Sequence, residues 1–344
     1  MDIQIQNPSK HPDWDASLLG QNNHSFFHTS AWAKVLEKTY RFKPVYFVVY
    51  DGNRLVTLMP MMEVHSLLTG KRGVSLPFTD LCPPYAPARK DLLLAQLRAI
   101  EYGKAHKWRY IEWRDNEHID PAISPWESFY VHDIDLDRTE TDIFDSLSDS
   151  NRRNINKAIR EGVSVRFDRT QEALNEFYRL NLATRKRHGL PPQPLNFFKN
   201  MYEFIIFKDC GVIASAYYRG RVVASSVFFH FGRAAVFKYG ASDIRYHHLR
   251  PNNLLMWETC ISYARRGFLS MNLGRTEPQN EGLLRYKRAW GAKERVIKYH
   301  RYDISRNAYV LKHSGGSGLF PKIFSRIPVS IARIIGRLAY RHVG

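Results

Sequence analysis

NNLLMWETCISYARRGFLSMNLGRT, residues 252–276, repeats an earlier stretch of the chain, DLLLAQLRAIEYGKAHKWRYIEWRD, residues 91–115. The two stretches align without gaps, and the matching positions are Leu93/Leu254, Leu94/Leu255, Ile100/Ile261, Tyr102/Tyr263, Lys104/Arg265 and Arg114/Arg275. Each stretch predicts an amphipathic helix of about four turns, with apolar residues at i, i+3, i+4 and i+7, followed by a short strand. The repeat therefore predicts two related α/β domains.

A hairpin pattern precedes each copy of the repeat. Before the first copy, residues 45–50 and 55–64 flank an Asp51-Gly52-Asn53 turn; before the second, residues 212–218 and 222–230 flank Arg219-Gly220-Arg221. We expect an α+β form of the α/β class, with two tandem domains of mixed, mostly antiparallel sheet flanked by helices. Their predicted limits are residues 1–145 and 146–312, and residues 313–344 form a tail.

Composition and charge exclude several classes of protein. The 344 residues are 44% hydrophobic, which excludes a largely disordered chain, and no apolar run is long enough for a transmembrane helix. Residues 1–145 contain 16 Lys and Arg against 20 Asp and Glu, whereas residues 146–344 contain 35 against 13. This excess of positive charge predicts a polyanionic ligand for the second part: nucleic acid, a phosphorylated substrate or an anionic membrane.

The cysteines and the N-terminus indicate the compartment. Cys82, Cys210 and Cys260 are odd in number and show no CxxC spacing, which predicts buried thiols in a reducing environment. The first residues lack the basic-then-apolar order of a signal peptide. We therefore expect a cytoplasmic protein.

Two basic segments are candidates for anion binding. Residues 148–162 have the capping residues of a short helix, with serine at the start and Gly162 at the end. The segment is also rich in Arg and Lys. Residues 274–291, GRTEPQNEGLLRYKRAWG, combine glycines, cations and aromatics after a predicted strand. Such cations can receive phosphate or stabilise a developing oxyanion. An ordinary solvent-exposed basic surface would explain the charge of either segment equally well.

A third segment has the position of a phosphate-binding turn before a helix. Residues 242–253, SDIRYHHLRPNN, contain no glycine, so backbone N–H groups alone are not expected to hold phosphate there. Arg245 and Asn253 are the candidate side chains, and a simple connecting loop is the alternative. His247 and His248 lack further ligands at metal spacing, so we predict no metal site.

The C-terminal tail predicts a linker followed by a basic amphipathic helix. Residues 314–318 are Ser-Gly-Gly-Ser-Gly, the composition of a flexible linker. After Pro328, one helical face carries Ile331, Ile334, Ile335 and Leu338, and another carries Arg333, Arg337 and Arg341. Residues 320–344 suit peripheral contact with an anionic inner membrane. A helix packed on its own protein is the alternative.

Several motifs in order carry a family resemblance: FHTSAW (27–32), LPFTD (76–80), RRNINKA (152–158), LGR (273–275) and GLLRYKRAWG (282–291). Over about residues 25–305 the chain resembles the Fem-type peptidoglycan-bridge aminoacyltransferases and their exopolysaccharide-linked relatives, a branch of the GNAT-fold acyltransferases. The last motif is the most specific, because it is similar to the family's Gly-Leu…Phe-Lys…Trp-Gly pattern with Tyr286 in place of Phe. The resemblance implies two GNAT-like domains in tandem.

The resemblance also implies roles for residues at matching positions. Lys287 corresponds to the family's lysine at the reaction centre, so the predicted catalytic residues are Lys287, its neighbour Tyr286, and Arg275. Attack on an activated acyl carbonyl forms an oxyanion, which a nearby cation stabilises. The predicted substrate-binding residues are Arg152, Arg153, Lys157, Arg245, Asn253, Asp80 and Trp32.

The predicted function is transfer of an activated acyl or aminoacyl group to an amine or hydroxyl of a cell-envelope or exopolysaccharide precursor. Acyl-CoA or aminoacyl-tRNA is the expected co-substrate, without a tightly bound cofactor. We expect the first domain to hold the saccharide or peptide acceptor, and the second to hold the donor and Lys287. The alternatives are an acetyl-CoA-dependent N-acetyltransferase and a non-enzymatic protein that binds RNA or another polyanion.

Overall fold

The structure is a computed structural model that describes residues 3–20, 24–114, 119–312 and 327–342. The predicted linker at residues 314–318 lies outside the described residues. The α-helices are α1 (Trp14–Leu19), α2 (Ser30–Tyr40), α3 (Arg89–Ala105), α4 (Glu140–Asp145), α5 (Asp149–Arg160), α6 (Gln171–Arg187), α7 (Leu195–Met201), α8 (Pro251–Arg265), α9 (Glu281–Arg288) and α10 (Val329–Ala339). Among them, none is both long and apolar enough to cross a membrane.

The strands form mixed sheets in which antiparallel pairs predominate. They are β1 (Gln4–Gln6), β2 (Lys43–Pro44), β3 (Tyr46–Asp51), β4 (Arg54–Met59), β5 (Met62–Ser66), β6 (Gly70–Val74), β7 (Tyr110–Arg114), β8 (Glu127–Asp135), β9 (Ser164–Asp168), β10 (Gly211–Tyr218), β11 (Arg221–Phe231), β12 (Ala234–Ser242), β13 (Ser270–Thr276), β14 (Lys293–Asp303) and β15 (Ala308–Val310). Helices flank these sheets, as the sequence predicted for the fold class.

The chain divides into two compact units that are not simple halves of the sequence. Unit 1 comprises Met1–Phe129, Val296–Gly315 and Leu338–Gly344, and unit 2 comprises Tyr130–Arg295 and Gly316–Arg337. The sequence placed the boundary at residues 145 and 146 instead. The difference arises from two strands: β8 pairs with β13, which brings residues 130–135 into unit 2, and β14 pairs with β7, which brings residues 299–303 into unit 1.

Unit 2 is built on a sheet that contains one parallel pair. Strands β9, β10, β11 and β12 pair antiparallel in that order, β12 pairs parallel with β13, and β13 pairs antiparallel with β8. The core of the unit includes Leu254 and Leu255 of α8, Phe228 of β11 and Met271 of β13. Burial of these apolar side chains fixes α8 against the sheet.

Unit 1 corrects one strand prediction. Residues 55–64 form two strands rather than one, because Pro60 between β4 and β5 has no backbone N–H to donate to a ladder. β4 pairs with β3, whereas β5 turns to pair with β6. β6 then pairs parallel with β7 through Gly73 and Val74.

The repeated helix and strand are present in both units, as α3–β7 and α8–β13. Their buried faces nevertheless differ. Leu254 and Leu255 are buried, whereas the aligned Leu93 and Leu94 are 42% and 47% exposed. α3 buries Leu92, Ala95 and Ala99 instead. Residues that are identical in the alignment of the two repeats are therefore not buried to the same extent. Of the cysteines, Cys82 and Cys260 are buried as expected, and Cys210 is partly exposed.

Candidate active site

The strands β12 and β13 part within unit 2. These parallel neighbours pair only where Ala234–Val236 meets Ser270–Asn272, although β12 continues to Ser242 and β13 to Thr276. Beyond the paired residues, each strand has backbone N–H and C=O groups that no longer bond to the other strand. An extended ligand can use such groups as it would use a sheet edge. We call this feature the strand opening.

A bulge shapes the β13 side of the strand opening. Gly274 has φ of 73°, a conformation that glycine adopts without the penalty of a side chain. Its N–H donates to the side chain of Asn272 at 2.9 Å, and Asn272 donates in turn to Asp133 at 2.8 Å. The register between β13 and β8 shifts at this point. Side chains therefore hold the backbone where the ladder is interrupted.

Lys287 completes the support of the bulge. Its Nζ donates to the carbonyl oxygens of Gly274 and Arg275, at 2.7 and 3.2 Å. The side chain is only 3% exposed, because α9 begins at the Asn280 cap and turns Leu284 and Lys287 inward. Burying an ammonium group is costly unless it is hydrogen-bonded, and the two carbonyls supply those bonds. The structure thus brings the predicted pair Lys287 and Arg275 together through the backbone of Arg275.

His132 lies near Lys287 and contacts Glu294, and sequence reasoning missed both residues. His132 of β8 has a fully buried side chain, and its Nε2 lies 2.8 Å from Oε2 of Glu294. Arg288 also donates to both oxygens of Glu294, at 2.7 and 2.8 Å. Burial lowers the pKa of His132, and the positive charge of Lys287 lowers that pKa further. The imidazole is therefore neutral at neutral pH.

His132 and Glu294 had no signal in the sequence that would have singled them out. They are 162 positions apart, neither belongs to a recognisable motif, and β8 is assigned to unit 2 only once its pairing with β13 is known. Tyr286, by contrast, was singled out and faces the core. Its ring meets the Trp290 ring edge-on, with centroids 6.1 Å apart, and burial raises the pKa of its hydroxyl.

The predicted anion-binding residues of α5 differ in their surroundings. Ser148 caps the helix as expected. Arg152 forms ion pairs with Asp149 and with Asp145, the latter at 3.8 Å, so much of its charge is balanced locally. Arg153 is exposed and Lys157 is half-buried.

Asn253 belongs to an internal chain of hydrogen bonds. It is 9% exposed, and its amide donates to Oδ1 of Asn151 at 2.9 Å. Asn151 donates in turn to the carbonyl oxygen of Ala289 at 3.0 Å. These bonds tie the first turns of α8 and α5 to the end of α9, so the side chain that the sequence assigned to substrate holds the local fold.

A basic groove lies where β12 ends. Its volume is about 480 Å³, and it is lined by Ala183, Lys186, Arg187, Ser242, Asp243 and Ile244. The Ser242 hydroxyl contacts Nε2 of His247 at 2.8 Å and accepts from Asn252 at 3.3 Å. The cations of the groove, Lys186 and Arg187, therefore come from the last turn of α6. Within residues 242–253, the segment without glycine, hydrogen bonds among Ser242, His247 and Asn252 hold the backbone in place.

Arg245 does not line this groove. Its guanidinium is exposed and lies 2.6 Å from the carboxylate of Asp243, and this ion pair lowers the pKa of Asp243. Lys186 and Arg187 are consequently better placed than Arg245 to meet a phosphate in the groove.

Trp32 and Asp80 lie in unit 1. Trp32 is fully buried, and its indole donates to the Thr79 hydroxyl at 2.9 Å. The backbone carbonyl of Asp80 accepts a hydrogen bond from Tyr299. Arg114, the repeat partner of Arg275, is buried and donates to the carbonyls of Leu76 and Thr79 at 3.1 and 2.9 Å. In unit 1, these contacts hold the loop at residues 76–80.

Comparison with known proteins agrees with the geometry of unit 2. Residues 148–288 match the family model described as an acetyltransferase (GNAT) domain. This segment is therefore similar to a GNAT domain, and we refer to it below as the GNAT domain. It contains the strand opening, the basic groove and Lys287, and a domain of this family supports acyltransferase activity for the chain. No curated protein sequence matches the chain.

Solved structures extend the likeness beyond the GNAT domain. FemX is 13% identical, with a TM-score of 0.68 over 86% of this chain and 96% of its own. L-PGS from Bacillus licheniformis is 14% identical, with a TM-score of 0.57 over 97% and 99%. A tandem GNAT protein from the clavulanic acid biosynthesis pathway is 11% identical, with a TM-score of 0.52 over 88% and 98%. The resemblance to Fem-type, GNAT-fold proteins is thereby confirmed at the level of the fold.

Proposed function

We propose that the GNAT domain binds an acyl-CoA donor along the strand opening, with the donor's phosphates in the basic groove. The observation that carries this proposal is the continuity of the two features. β12 borders the opening and ends at Ser242, and Ser242 lines the groove with Lys186 and Arg187. In this proposal, cationic side chains bind the phosphates, a role that backbone N–H groups of a glycine-rich turn have in other phosphate-binding sites.

The proposed reaction is direct transfer without a covalent enzyme intermediate. An acceptor amine or hydroxyl attacks the thioester carbonyl, a C–N or C–O bond forms, the C–S bond breaks, and the proton of the acceptor goes to the departing thiolate or to solvent. The carbonyl oxygen becomes negative in the transition state, and a nearby cation lowers that barrier. We propose Lys287 for this role, because its ammonium is held at the β13 edge of the opening. Arg275 helps to position that ammonium through its backbone carbonyl, and Tyr286, the neighbour of Lys287 on α9, packs against Trp290.

For the acceptor, we propose an amine or hydroxyl of a cell-envelope saccharide or peptide precursor. The support is the sequence resemblance to Fem-type enzymes, together with the likeness of the fold to FemX. Arg153 and Lys157 of α5 remain the proposed contacts for negative groups of the substrates, since neither is engaged as closely as Arg152.

Ligand-induced stabilisation of the full chain tests the donor site. Acetyl-CoA is expected to raise the midpoint of thermal unfolding, because a ligand of the native state stabilises it by mass action. The double variant Lys186→Gln/Arg187→Gln is expected to weaken this effect about tenfold or more in acetyl-CoA concentration, since each charged contact contributes about 1.5–3 kcal/mol. Arg219→Gln/Arg221→Gln, which alters two exposed hairpin arginines of the same unit, is the matched control.

Two outcomes contradict the proposal. If aminoacyl-tRNA stabilises the chain and acetyl-CoA does not, the donor assignment is wrong. If RNA binds with a steep salt dependence and no donor gives acyl transfer to any amine or hydroxyl acceptor, the polyanion-binding alternative is correct.

A further inference from the structure

The helix α10 turns its small residues toward unit 2 and leaves Ile331, Ile334 and Leu338 exposed, whereas Ile335 is partly buried. Ala332 is buried, whereas Ile331 and Ile334 are 49% and 54% exposed. At Gly336, an added Cβ would overlap the carbonyl oxygen of Pro192, so the helix backbone lies directly against that segment. An amphipathic helix on a globular protein normally buries its large apolar residues. Here that face is left exposed.

A cationic cleft adjoins the exposed face. It has a volume of about 410 Å³ and is lined by residues that include Tyr178, Asn196, Ser330, Arg333, Ile334 and Arg337. This volume is within the range of small-ligand sites, about 300–1,000 Å³. Burial raises the pKa of Tyr178, and the neighbouring Arg333 guanidinium opposes that rise. None of the described residues that line the cleft is acidic.

The cleft and the apolar face share a residue. Ile334 lines the cleft and is also one of the exposed apolar residues of α10. Ile331, Ile334 and Leu338 follow the i, i+3, i+7 spacing of one helical stripe. The side chains of Arg333 and Arg337 are therefore positioned beside that stripe on the same short helix.

Unit 1 carries a second exposed apolar feature near the end of the chain. The turn between β5 and β6 contains Leu67 and Leu68, which are 90% and 77% exposed. The Ser66 hydroxyl lies 2.9 Å from the His342 ring, and Arg72 donates to the carbonyl of His342 at 2.8 Å. The residues that follow α10 are thus fixed, within unit 1, at a turn that exposes two leucines.

We propose that α10 docks on an anionic lipid surface, with a lipid phosphate in the cleft beside Arg333 and Arg337. The guanidinium groups offer forked donors that match phosphate oxygens, and Tyr178 and Asn196 add neutral hydrogen-bonding groups. Ile331 and Ile334 enter the boundary between headgroups and acyl chains, as the apolar face of an interfacial helix does. A second copy of this chain fits the surface less well, because it would bring the same arginines together.

Vesicle sedimentation of the full chain tests the proposal. Binding to phosphatidylcholine vesicles that contain phosphatidylglycerol is expected, with little binding to phosphatidylcholine alone and a loss of binding as salt increases. Arg333→Gln/Arg337→Gln is expected to weaken binding to the anionic vesicles roughly tenfold or more. Ile331→Ser/Ile334→Ser is expected to weaken it to a similar degree.

Matched controls distinguish binding at this site from a general effect of positive charge or of exposed apolar surface. Arg219→Gln/Arg221→Gln removes two exposed arginines of the same unit, and Leu93→Ser/Leu97→Ser removes two exposed leucines of α3, which are 42% and 57% exposed. Neither control is expected to change binding. As a second measurement, hydrogen exchange of residues 329–339 is expected to slow on anionic vesicles, which reports on α10 in the unmodified chain.

Three results would overturn the proposal. The first is equal binding to neutral and anionic vesicles, and the second is unchanged binding by the arginine variant. The third is concentration-dependent self-association without lipid that is lost in Ile331→Ser/Ile334→Ser, which would identify a second copy as the occupant. All four substituted side chains are exposed, so unfolding midpoints close to that of the unmodified chain are expected and should be verified first.

Discussion

Nζ of Lys287 lies 2.7 Å from the carbonyl oxygen of Gly274 and donates a hydrogen bond to it. This contact joins the two ends of a single sequence segment, the strand end of β13 and the last turn of α9. The residue that the family resemblance marks as catalytic therefore also holds the backbone that borders the strand opening. Its substitution is expected to affect both the fold and the reaction, and the two effects need separate measurements.

Lys287→Met tests this double role. The substitution keeps the apolar stem and removes the ammonium, so two carbonyls lose their donor. We expect the free energy of unfolding to fall by about 1–3 kcal/mol, as measured by urea denaturation. In protein that is still folded, acyl transfer should fall about a hundredfold or more.

Arg285→Met is the matched control for Lys287→Met, because Arg285 is an exposed cation on the same helix. It should change neither stability nor turnover. If folded Lys287→Met keeps its turnover, Lys287 supports the bulge and has no role in the chemistry.

Asn253→Ala distinguishes a structural role from a substrate-binding role. We expect the free energy of unfolding to fall by about 1–2 kcal/mol, because the amide of Asn253 is buried and bonded to Asn151. Combining it with Asn151→Ala should cost less than the sum of the two single changes, since both remove the same bond. Urea denaturation of the four proteins measures this coupling.

Asn252→Ala is the comparison for that cycle. Its amide donates a longer bond, 3.3 Å, to Ser242, so a smaller loss of stability is expected. An Asn253→Ala protein with unchanged stability and a raised KM would instead support the substrate-binding role that the sequence suggested.

Acid sensitivity follows from two buried histidines. Burial lowers the pKa of His28 to about 3 and that of His230 to about 4, whereas both take up protons near pH 6.5 in the unfolded chain. The unfolded chain therefore binds more protons below about pH 6.5, and stability falls as the pH is lowered toward the folded-state values. Near pH 4.5 we expect a loss of roughly 2 kcal/mol for each group.

Urea denaturation between about pH 7 and about pH 4.5 measures this slope. His230→Gln should reduce the slope, even though it also removes contacts with Tyr263 and the carbonyl of Asp209 and so lowers stability at neutral pH. His65→Gln, which replaces an exposed histidine, is the matched control. A slope that is the same in His230→Gln and in the unmodified chain would contradict the assignment.

The fold class could be predicted from the sequence because its signals are local. Helical periodicity and a repeated helix–strand pair determined α3–β7 and α8–β13. The division into units could not be predicted in this way, since it depends on which distant strands pair. β8 and β13 are joined by residues such as Asp133 and Asn272, which are 139 positions apart. No local sequence pattern predicts that these two strands pair.

The candidate site shows the same limit. Lys287 belongs to a recognisable motif, whereas His132 comes near it, and Glu294 contacts His132, only in the folded sheet. Trp32 was singled out by its motif and Asn253 by its position before a helix, yet both are buried and hydrogen-bonded inside the protein. A motif therefore identifies residues under strong local constraint, and burial then decides whether a side chain can meet a ligand.

Gly336→Ala tests how α10 is seated. In an unconstrained helix, alanine is favoured over glycine by about 1 kcal/mol. Here the added methyl group would overlap the carbonyl oxygen of Pro192, and overpacking of this kind costs about 1–3 kcal/mol. The cost exceeds the gain, so α10 should loosen. Hydrogen exchange of residues 329–339 should become faster, while the urea midpoint of the remainder of the chain stays the same.

Gly282→Ala is the matched control for this last change, because it replaces a glycine of α9 that has open space around it. Alanine there should stabilise its helix by up to about 1 kcal/mol and leave exchange in α10 unaltered. Exchange in α10 that is slowed or unchanged by Gly336→Ala would mean that the helix does not rest on Pro192. Its exposed isoleucines would then no longer follow from the packing of its small residues.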